Sequence, residues 1–427
     1  MHELISGSAD PRAGKATPGE SMRRAGPAQI EAALTDGRAE LFGLFDGFQR
    51  ALGPDGLRIA QDAAVNLPLW ELGHIGWFEE FWVSRHPGRT VGATCDPLLP
   101  RTPSVLPRAD ALYDSSNVAH ASRWQLALPD ADATRAYLTE VRQATLALLH
   151  AGGTTDDDLY FFRLVLFHEA MHREAWHFMA RGLGIDLGPA MRRPAPPATD
   201  APAAAAWRVP GALRRIGFDG PGFAFDNELG PHEVEVPAFS IDPAPVTWAA
   251  FLAFADAGGY DNEAVWTAAG REWLQRTRAT RPMHLRRENG KWEQSAFGRW
   301  TPIDPSAAAV NLTAHEADAW CRWAGRRLPT EMEWETAADL AAHAQARGDS
   351  VFRWGEVWEW TSSPFAPYPG FQAHPYRDYS QPWFDGRRVL RGGSFATAPY
   401  LKHPCYRNFF TAERNDVFAG FRSCAAP

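Results

Sequence analysis

The sequence predicts an α+β chain: a four-helix bundle at the N-terminal end, followed by a second, mixed and irregular domain. Three observations predict this. Four stretches before residue 190 carry apolar residues at helical spacing. A Pro/Ala-rich run, RPAPPATDAPAAAA from Arg193 to Ala206, has the composition of a semi-rigid linker. Beyond it, short apolar runs are broken by Gly, Pro, Asn and Asp. At 427 residues the chain also exceeds what one hydrophobic core ordinarily serves. The expected divisions are a disordered tail at 1–27, the bundle at 28–190, the linker at 191–206 and the second domain at 207–427.

The tail, MHELISGSADPRAGKATPGESMRRAGPAQ, lacks the apolar middle of a signal peptide, and no apolar stretch is long enough to span a bilayer, so a cytoplasmic location is expected. In the first helix, AQIEAALTDGRAELFGLFDGFQRAL, a single face gathers Leu41, Leu44, Phe45, Phe48 and Leu52. The second, PLWELGHIGWFEEFWVSRH, begins at Pro68, whose fixed φ suits a first helical position. An extended stretch rich in Pro, Asp and Arg separates it from the third, DADATRAYLTEVRQATLALLHAGG. There Asp130 or Asp132 caps, Leu138, Val141, Leu148 and Leu149 face the core, and Gly152 and Gly153 close. The fourth, DDDLYFFRLVLFHEAMHREAWHFMARGLG, has acids in its first turn, basic residues near its end, and Gly182 and Gly184 as a stop. In the second half one clear helix, TAHEADAWCRWAGR, runs to about Arg326.

Composition excludes some functions. The formal charge is −8 and the arginines are scattered, with no basic run interleaved with aromatics, so no nucleic-acid surface is expected. Cys95, Cys321, Cys405 and Cys424 lie far apart without a CxxC, which fits free thiols in a reducing compartment. Eighteen tryptophans, with many glycines and prolines, indicate a loop-heavy fold held by aromatic packing.

The fourth helix carries the chemistry. Phe161, Val165, His168, His172, Trp176 and Met179 form one stripe, and two imidazoles in a stripe that should be core cost desolvation unless a metal or hydrogen-bond partner takes their nitrogens. Three readings compete. The pair is a packed or hydrogen-bonded couple; it ligates a metal; or HEAMH is an HExxH zinc-peptidase motif with Glu169 as general base. His74, flanked by Trp70, Trp77, Phe78 and Phe81, reads equally as a core histidine or a ligand. Taken together, the three would form a facial nitrogen set on two helices, and neutral imidazoles suit iron, zinc or copper alike.

His74 within LGHIGWF, followed by His168, His172 and Glu174 as HxxxHxE, resembles the DinB-like helical domain of the ergothioneine sulfoxide synthase family. The second half resembles that family's other domain, with the formylglycine-generating-enzyme (sulfatase-modifying factor), C-type-lectin-like fold. The matching motifs are FDNE at Phe225 to Glu228, AWCRWAGRRLPTEMEWETAA from Ala319, EVWEWTSSPF from Glu356, VLRGGSFAT from Val389 and FAGFR from Phe418. The resemblance covers the chain from about Ala28 to Arg422.

It implies a non-haem Fe(II) enzyme that uses O2 to join sulfur or selenium to C2 of the imidazole of hercynine, N-trimethylated histidine. The matching iron ligands are His74, His168 and His172, with Glu174 an orienting or a structural carboxylate. In YRNFF, Asn408 would meet the hercynine carboxylate and Phe409 or Phe410 its quaternary ammonium, against the plainer reading of a buried aromatic pair. Tyr376, with Tyr379 beside it, matches the family's proton donor, and Met171 stands at a hercynine-facing position where glutamine is common.

The chain departs from members that use γ-glutamylcysteine. Their arginine-rich stretch is here ALYDSSNVAHASRWQLALPD, with only Arg123, and Phe410 replaces an acid although Arg414 remains. These departures resemble the selenoneine synthase branch, which joins a selenosugar, 1-seleno-N-acetylglucosamine, to hercynine. The alternative is a thiol donor, cysteine or γ-glutamylcysteine. A zinc hydrolase and a non-catalytic binding module remain as further readings.

Overall fold

The protein is described as a computed structural model covering residues 16–53, 57–191, 206–345 and 352–426. Its first half contains helices α1 (Pro18–Arg23), α2 (Pro27–Leu52), α3 (Pro68–Glu79), α4 (Ala109–Tyr113), α5 (Ala131–Ala151) and α6 (Asp156–Leu183). The long ones, α2, α3, α5 and α6, form the expected bundle. Local signals set their ends: the Asp130 side chain accepts from Ala133 N to start α5, Thr155 and Asp158 close a capping box on α6, and Gly184 stops α6 at φ 68°. α3 runs directly into a π-helical turn at Glu80–Ser84. Among the described residues no helix is long and apolar enough to cross a membrane.

Residues 16–27, expected to belong to an unfolded tail, correct that expectation. They include α1, closed by a Thr17–Glu20 capping box, and its buried Arg23 forks onto Glu228 with two 2.7 Å contacts while also donating to Phe223 O. The partner lies 205 residues away, so local composition carries no trace of it. Residues 1–15 and nearly all of the expected linker, 192–205, lie outside the described residues.

The second half is more regular than the sequence suggested. Besides the expected helix, here α9 (Ala314–Trp323), it holds α7 (Trp248–Asp256), α8 (Ala268–Thr277) and α10 (Glu331–Gln345). Its strands are β1 (Trp207–Val209), β2 (Ala212–Ile216), β3 (His232–Val236), β4 (Phe239–Ile241), β5 (Leu285–Glu288), β6 (Lys291–Ala296), β7 (Arg299–Pro302), β8 (Arg326–Arg327), β9 (Trp358–Pro364), β10 (Arg388–Arg391), β11 (Asn408–Phe410), β12 (Ala419–Gly420) and β13 (Cys424–Ala425). They form sheets ordered β1-β4-β13-β8, β11-β10-β9-β12, β2-β3 and β5-β6-β7. Trp248, Trp266, Trp334, Trp358 and Trp360 are fully buried among them, as the aromatic composition implied. All four cysteines are free thiols.

One hydrophobic cluster runs from α3 and α6 through Phe223 and Phe225 to Trp358, Tyr406 and Phe421, so the two halves share a core. An apolar interface of this kind holds domains in a fixed relation. Its polar centre is Glu174 on α6. The carboxylate accepts from Trp358 Nε1 at 2.9 Å, from Thr397 Oγ1 at 2.8 Å and from Ser394 Oγ, and is 7 % exposed. Of the two roles open to Glu174, the structural one is what the fold displays. Glu174→Ala would strand three buried donors at about 1–3 kcal/mol each, and urea unfolding is expected to show a lower midpoint with loss of near-ultraviolet tryptophan signal. An unchanged midpoint would refute the clamp.

Candidate metal centre

α3 carries His74 and α6 carries His168 and His172, and one ligating nitrogen of each lies within 4.8 Å of the others. The Nε2 atoms of His168 and His172 are 3.2 Å apart. Each ring has a cause for its orientation. His74 Nδ1 sits 2.9 Å from Tyr113 O, so the proton belongs on Nδ1 and Nε2 keeps its lone pair. His172 Nδ1 meets Glu71 Oε1 at 2.9 Å, and the His168 ring lies flat on Phe78 at 3.6 Å. Tyr113 reaches α3 because residue 73 is glycine: a Cβ there would fall 2.2 Å from Tyr113 Cζ. Trp70 stacks on His74 at 5.0 Å and 8°, and is itself covered by the Arg123 guanidinium at 3.8 Å.

Burial, with His172 adding to it and the Tyr113 carbonyl opposing, holds the His74 pKa down at about 3; burial likewise pushes His168 far below the ordinary imidazole value. Both rings are therefore neutral at physiological pH. The facing Nε2 atoms of His168 and His172, 3.2 Å apart, are compatible only with a proton or a cation between them. Metal–nitrogen bonds of about 2.0–2.1 Å, at ordinary coordination angles, hold neighbouring nitrogens about 3.0–3.4 Å apart. The residues therefore fit a divalent transition metal, with Nδ1 anchors on His74 and His172 of the kind that orient ligating histidines. They do not discriminate iron from zinc or copper.

Glu169 overturns the peptidase reading. It sits one residue past His168, on the adjacent face of α6, and joins Glu79, Arg38 and Arg142 in a buried network: Arg38 and Arg142 each contact both carboxylates, at 2.6 to 2.9 Å. A carboxylate held between two guanidiniums, off the face that carries His168 and His172, is not placed to activate a water at that centre.

The structure brings some expected residues to this centre and not others. Tyr376 arrives from the second half: its ring lies 4.8 Å from Phe78 and 6.2 Å from His168, and its hydroxyl bonds to no described residue. Burial, with Asp378 and Asp114 nearby, keeps its phenol pKa above the usual tyrosine value. Tyr379 turns away, stacking on Phe225 at 4.3 Å and hydrogen-bonding Tyr406. Met171 is half-buried on α6 against the shared core. Asn408, Phe409 and Phe410 form β11, where alternation puts Asn408 and Phe410 on one side and Phe409 on the other. The Phe409 face is taken by Phe365 at 3.9 Å, which is the plainer of the two readings for that ring. Phe410 lies under Arg414, 4.7 Å away, and Arg414 is paired with Asp416. Arg123 is buried, bonding Asn66 and Val118 O.

Sequence reasoning missed Glu71 and Tyr113. Glu71 was legible, since it stands three residues before His74 on the same helix. Tyr113 acts through its backbone carbonyl, which no side-chain pattern marks. Also missed was the contact that ties the two halves at the mouth of the centre, Ser116 Oγ donating to the Asp378 carboxylate.

Comparison with known proteins matches residues 33–175 to the DinB superfamily and residues 193–354 and 351–426 to the sulfatase-modifying factor enzyme 1-like domain. The hercynine oxygenase of Mycolicibacterium thermoresistibile is 34 % identical over 416 residues, covering 86 % of this chain and 89 % of that protein. The hercynine oxygenase of Mycolicibacterium smegmatis is also 34 % identical, covering 83 % of this chain and 90 % of its own. The formylglycine-generating enzyme of Streptomyces coelicolor is 30 % identical, over 47 % of this chain and 80 % of its own. With a largely buried three-histidine set and relatives matched over most of their length, the chain belongs to the hercynine oxygenase family, an oxidative branch that joins a DinB-like bundle to a sulfatase-modifying-factor domain.

Proposed function

We propose that this protein couples hercynine to a chalcogen donor in an O2-dependent reaction, with Fe(II) held by His74, His168 and His172, and that the donor is the selenosugar 1-seleno-N-acetylglucosamine. Kinship with hercynine oxygenases and the three clustered imidazoles support the first part. A ferrous ion there would supply the one-electron chemistry that O2 requires and open positions beside three imidazoles. The chain's own residues do the rest. Glu71 and Tyr113 O orient the ligands, while Phe78 and Trp70 keep water from behind them. Tyr376 holds a proton at Oη beside His168, kept there by burial and by the two nearby carboxylates. Asn408 is the candidate for hercynine's carboxylate and Phe410 for its ammonium, with Arg414 over the Phe410 ring at 4.7 Å and Phe365 stacked on Phe409 at 3.9 Å.

The observation that carries the donor assignment is the commitment of both candidate arginines. Arg123 is buried under Trp70 with Asn66 and Val118, and Arg414 is paired with Asp416. A dicarboxylate donor would need a free guanidinium to offset its charge. It would also approach Asp114 and Asp378, both near enough to bear on the Tyr376 phenol. A neutral sugar carrying hydroxyls and an acetamide meets no such repulsion and can bond to those acids. The thiol reading, with cysteine or γ-glutamylcysteine, draws on the same family relation, which names hercynine and leaves the donor open.

Two experiments test the proposal. His172→Ala is expected to abolish stoichiometric iron uptake, and Glu71→Gln to weaken Fe(II) affinity about 10- to 100-fold, as read by metal analysis and calorimetric titration; full loading of His172→Ala would refute the ligand set. In aerobic assays with hercynine, the selenosugar is expected to exceed cysteine and γ-glutamylcysteine in kcat/KM by about tenfold or more, with products identified by mass spectrometry. A thiol with the higher value would reverse the donor assignment.

A further inference from the structure

Tyr376 sits on a loop, His374 to Ser380, without regular structure beyond one short turn at Arg377–Tyr379. Both ends of this loop are tied to the same side chain. The Asp226 carboxylate accepts the His374 N–H at 3.3 Å through one oxygen and the Ser380 hydroxyl through the other. Asn227 Nδ2 adds a 3.0 Å bond to Ser380 Oγ, Tyr160 OH on α6 meets His374 Nδ1 at 3.0 Å, and Phe225 stacks on Tyr379. The short turn at Asp226–Glu228 is thus a bracket whose two arms close on the segment that delivers Tyr376.

We propose that Asp226 is a positioning residue for the reaction: by holding both ends of the His374–Ser380 loop, it sets where the Tyr376 hydroxyl stands relative to the three histidines. This rests on the reading of Tyr376 as proton donor. The Tyr376 side chain makes no hydrogen bond to any described residue and has only ring contacts to guide it, so its placement depends on the loop that carries it. Misplacing a proton donor by an ångström is enough to slow its transfer.

Asp226 is 2 % exposed and pairs with no cation among the described residues. The titratable groups that face it are Glu228 on its own turn, Tyr160 on α6, and Tyr379 and His374 on the loop. Burial, opposed by its hydrogen bonds and reinforced by Glu228, pushes its pKa up to about 6. Protonation converts two charge-assisted bonds into weaker neutral ones, so the bracket loosens as pH falls through that value. Global stability moves the other way. A carboxyl whose folded pKa is raised contributes stability that is present below its unfolded pKa and lost as pH rises through the folded one. Acidification from pH 7 to 5 therefore loosens the loop while the Asp226 contribution to stability grows.

The test compares Asp226→Asn, Ser380→Ala and Tyr376→Phe with the wild type, as Fe(II)-loaded enzymes for kinetics and as metal-free proteins for hydrogen exchange. Asp226→Asn and Ser380→Ala are expected to lower kcat by about tenfold with KM for hercynine changed little. Peptides spanning 374–380 should exchange faster in both, and the acidic limb of the kcat profile near pH 6 should disappear in Asp226→Asn. The Asp226→Asn/Tyr376→Phe double variant should be no slower than Tyr376→Phe alone. Unchanged kcat in both bracket variants, or additive losses in the double variant, would overturn the role of Asp226 while leaving Tyr376 in place. Unchanged turnover in Tyr376→Phe would overturn both. Should Asp226→Asn fail to fold, Ser380→Ala and the wild-type exchange difference between pH 7 and 5 decide the matter, and no increase in either overturns the proposal.

Discussion

Helix α6 has no face to spare for solvent along its middle, and that constraint organises the site. Successive residues step 100° around the axis, and three sides carry three tasks. His168 and His172 face the metal centre, Glu169 and Arg173 face the charged network and Glu40, and Phe167, Glu174 and Phe178 face the second half of the chain. No register shift of α6 can satisfy one side without breaking the others. The ligand positions are therefore fixed from the bundle and from the second domain at once. Because the two halves share a core, a tyrosine contributed by one can stand at a set distance from histidines contributed by the other.

The network beside it shows why burying charge here serves position more than stability. Arg38, Arg142, Glu79 and Glu169 balance two charges of each sign with almost no exposure. Such clusters roughly repay their own desolvation, but a missing member leaves an uncompensated charge at about 3–5 kcal/mol. Arg142 opposes its own desolvation through Glu79 and Glu169, which raise its pKa, and the Glu79 carboxyl falls to about 2 although its burial pushes upward. What the cluster fixes is the rotation of α6 against α2, α3 and α5, hence the direction in which His168 and His172 point.

The bundle and the histidine set were legible because they rest on local rules. Apolar spacing, the Asp130 cap and the Gly184 stop each act within a few residues. The second half was legible mainly as motifs. α7, WAAFLAFAD, is apolar on nearly all sides and so gives no helical period to read, and α10 opens with acids whose partners, such as Arg327 and Arg407, lie elsewhere. Arg23 illustrates the same limit: an arginine in a polar N-terminal segment looks solvated until Glu228 is brought to it. In the sequence, only the family resemblance favours Tyr376 over its neighbour Tyr379. What separates them is Phe225, which claims the second ring and leaves the first facing the histidines.

The acids around Tyr376 connect proton chemistry to donor choice. Asp114 and Asp378 come from opposite halves of the chain, and the Ser116–Asp378 contact closes the seam between them. Negative charge beside a phenol disfavours the phenolate, so these acids help keep the proton on Tyr376. The same charge disfavours an anionic group placed next to them, most strongly where water is excluded and the effective dielectric is low. With Tyr376 as the proposed proton donor, the same acids would disfavour donors that bring carboxylates to that place, unless a cation accompanies them. Arg123 is stacked on Trp70 and Arg414 is paired with Asp416. Under the proposed function, the charge that keeps the Tyr376 phenol protonated would also favour an uncharged carrier for the chalcogen.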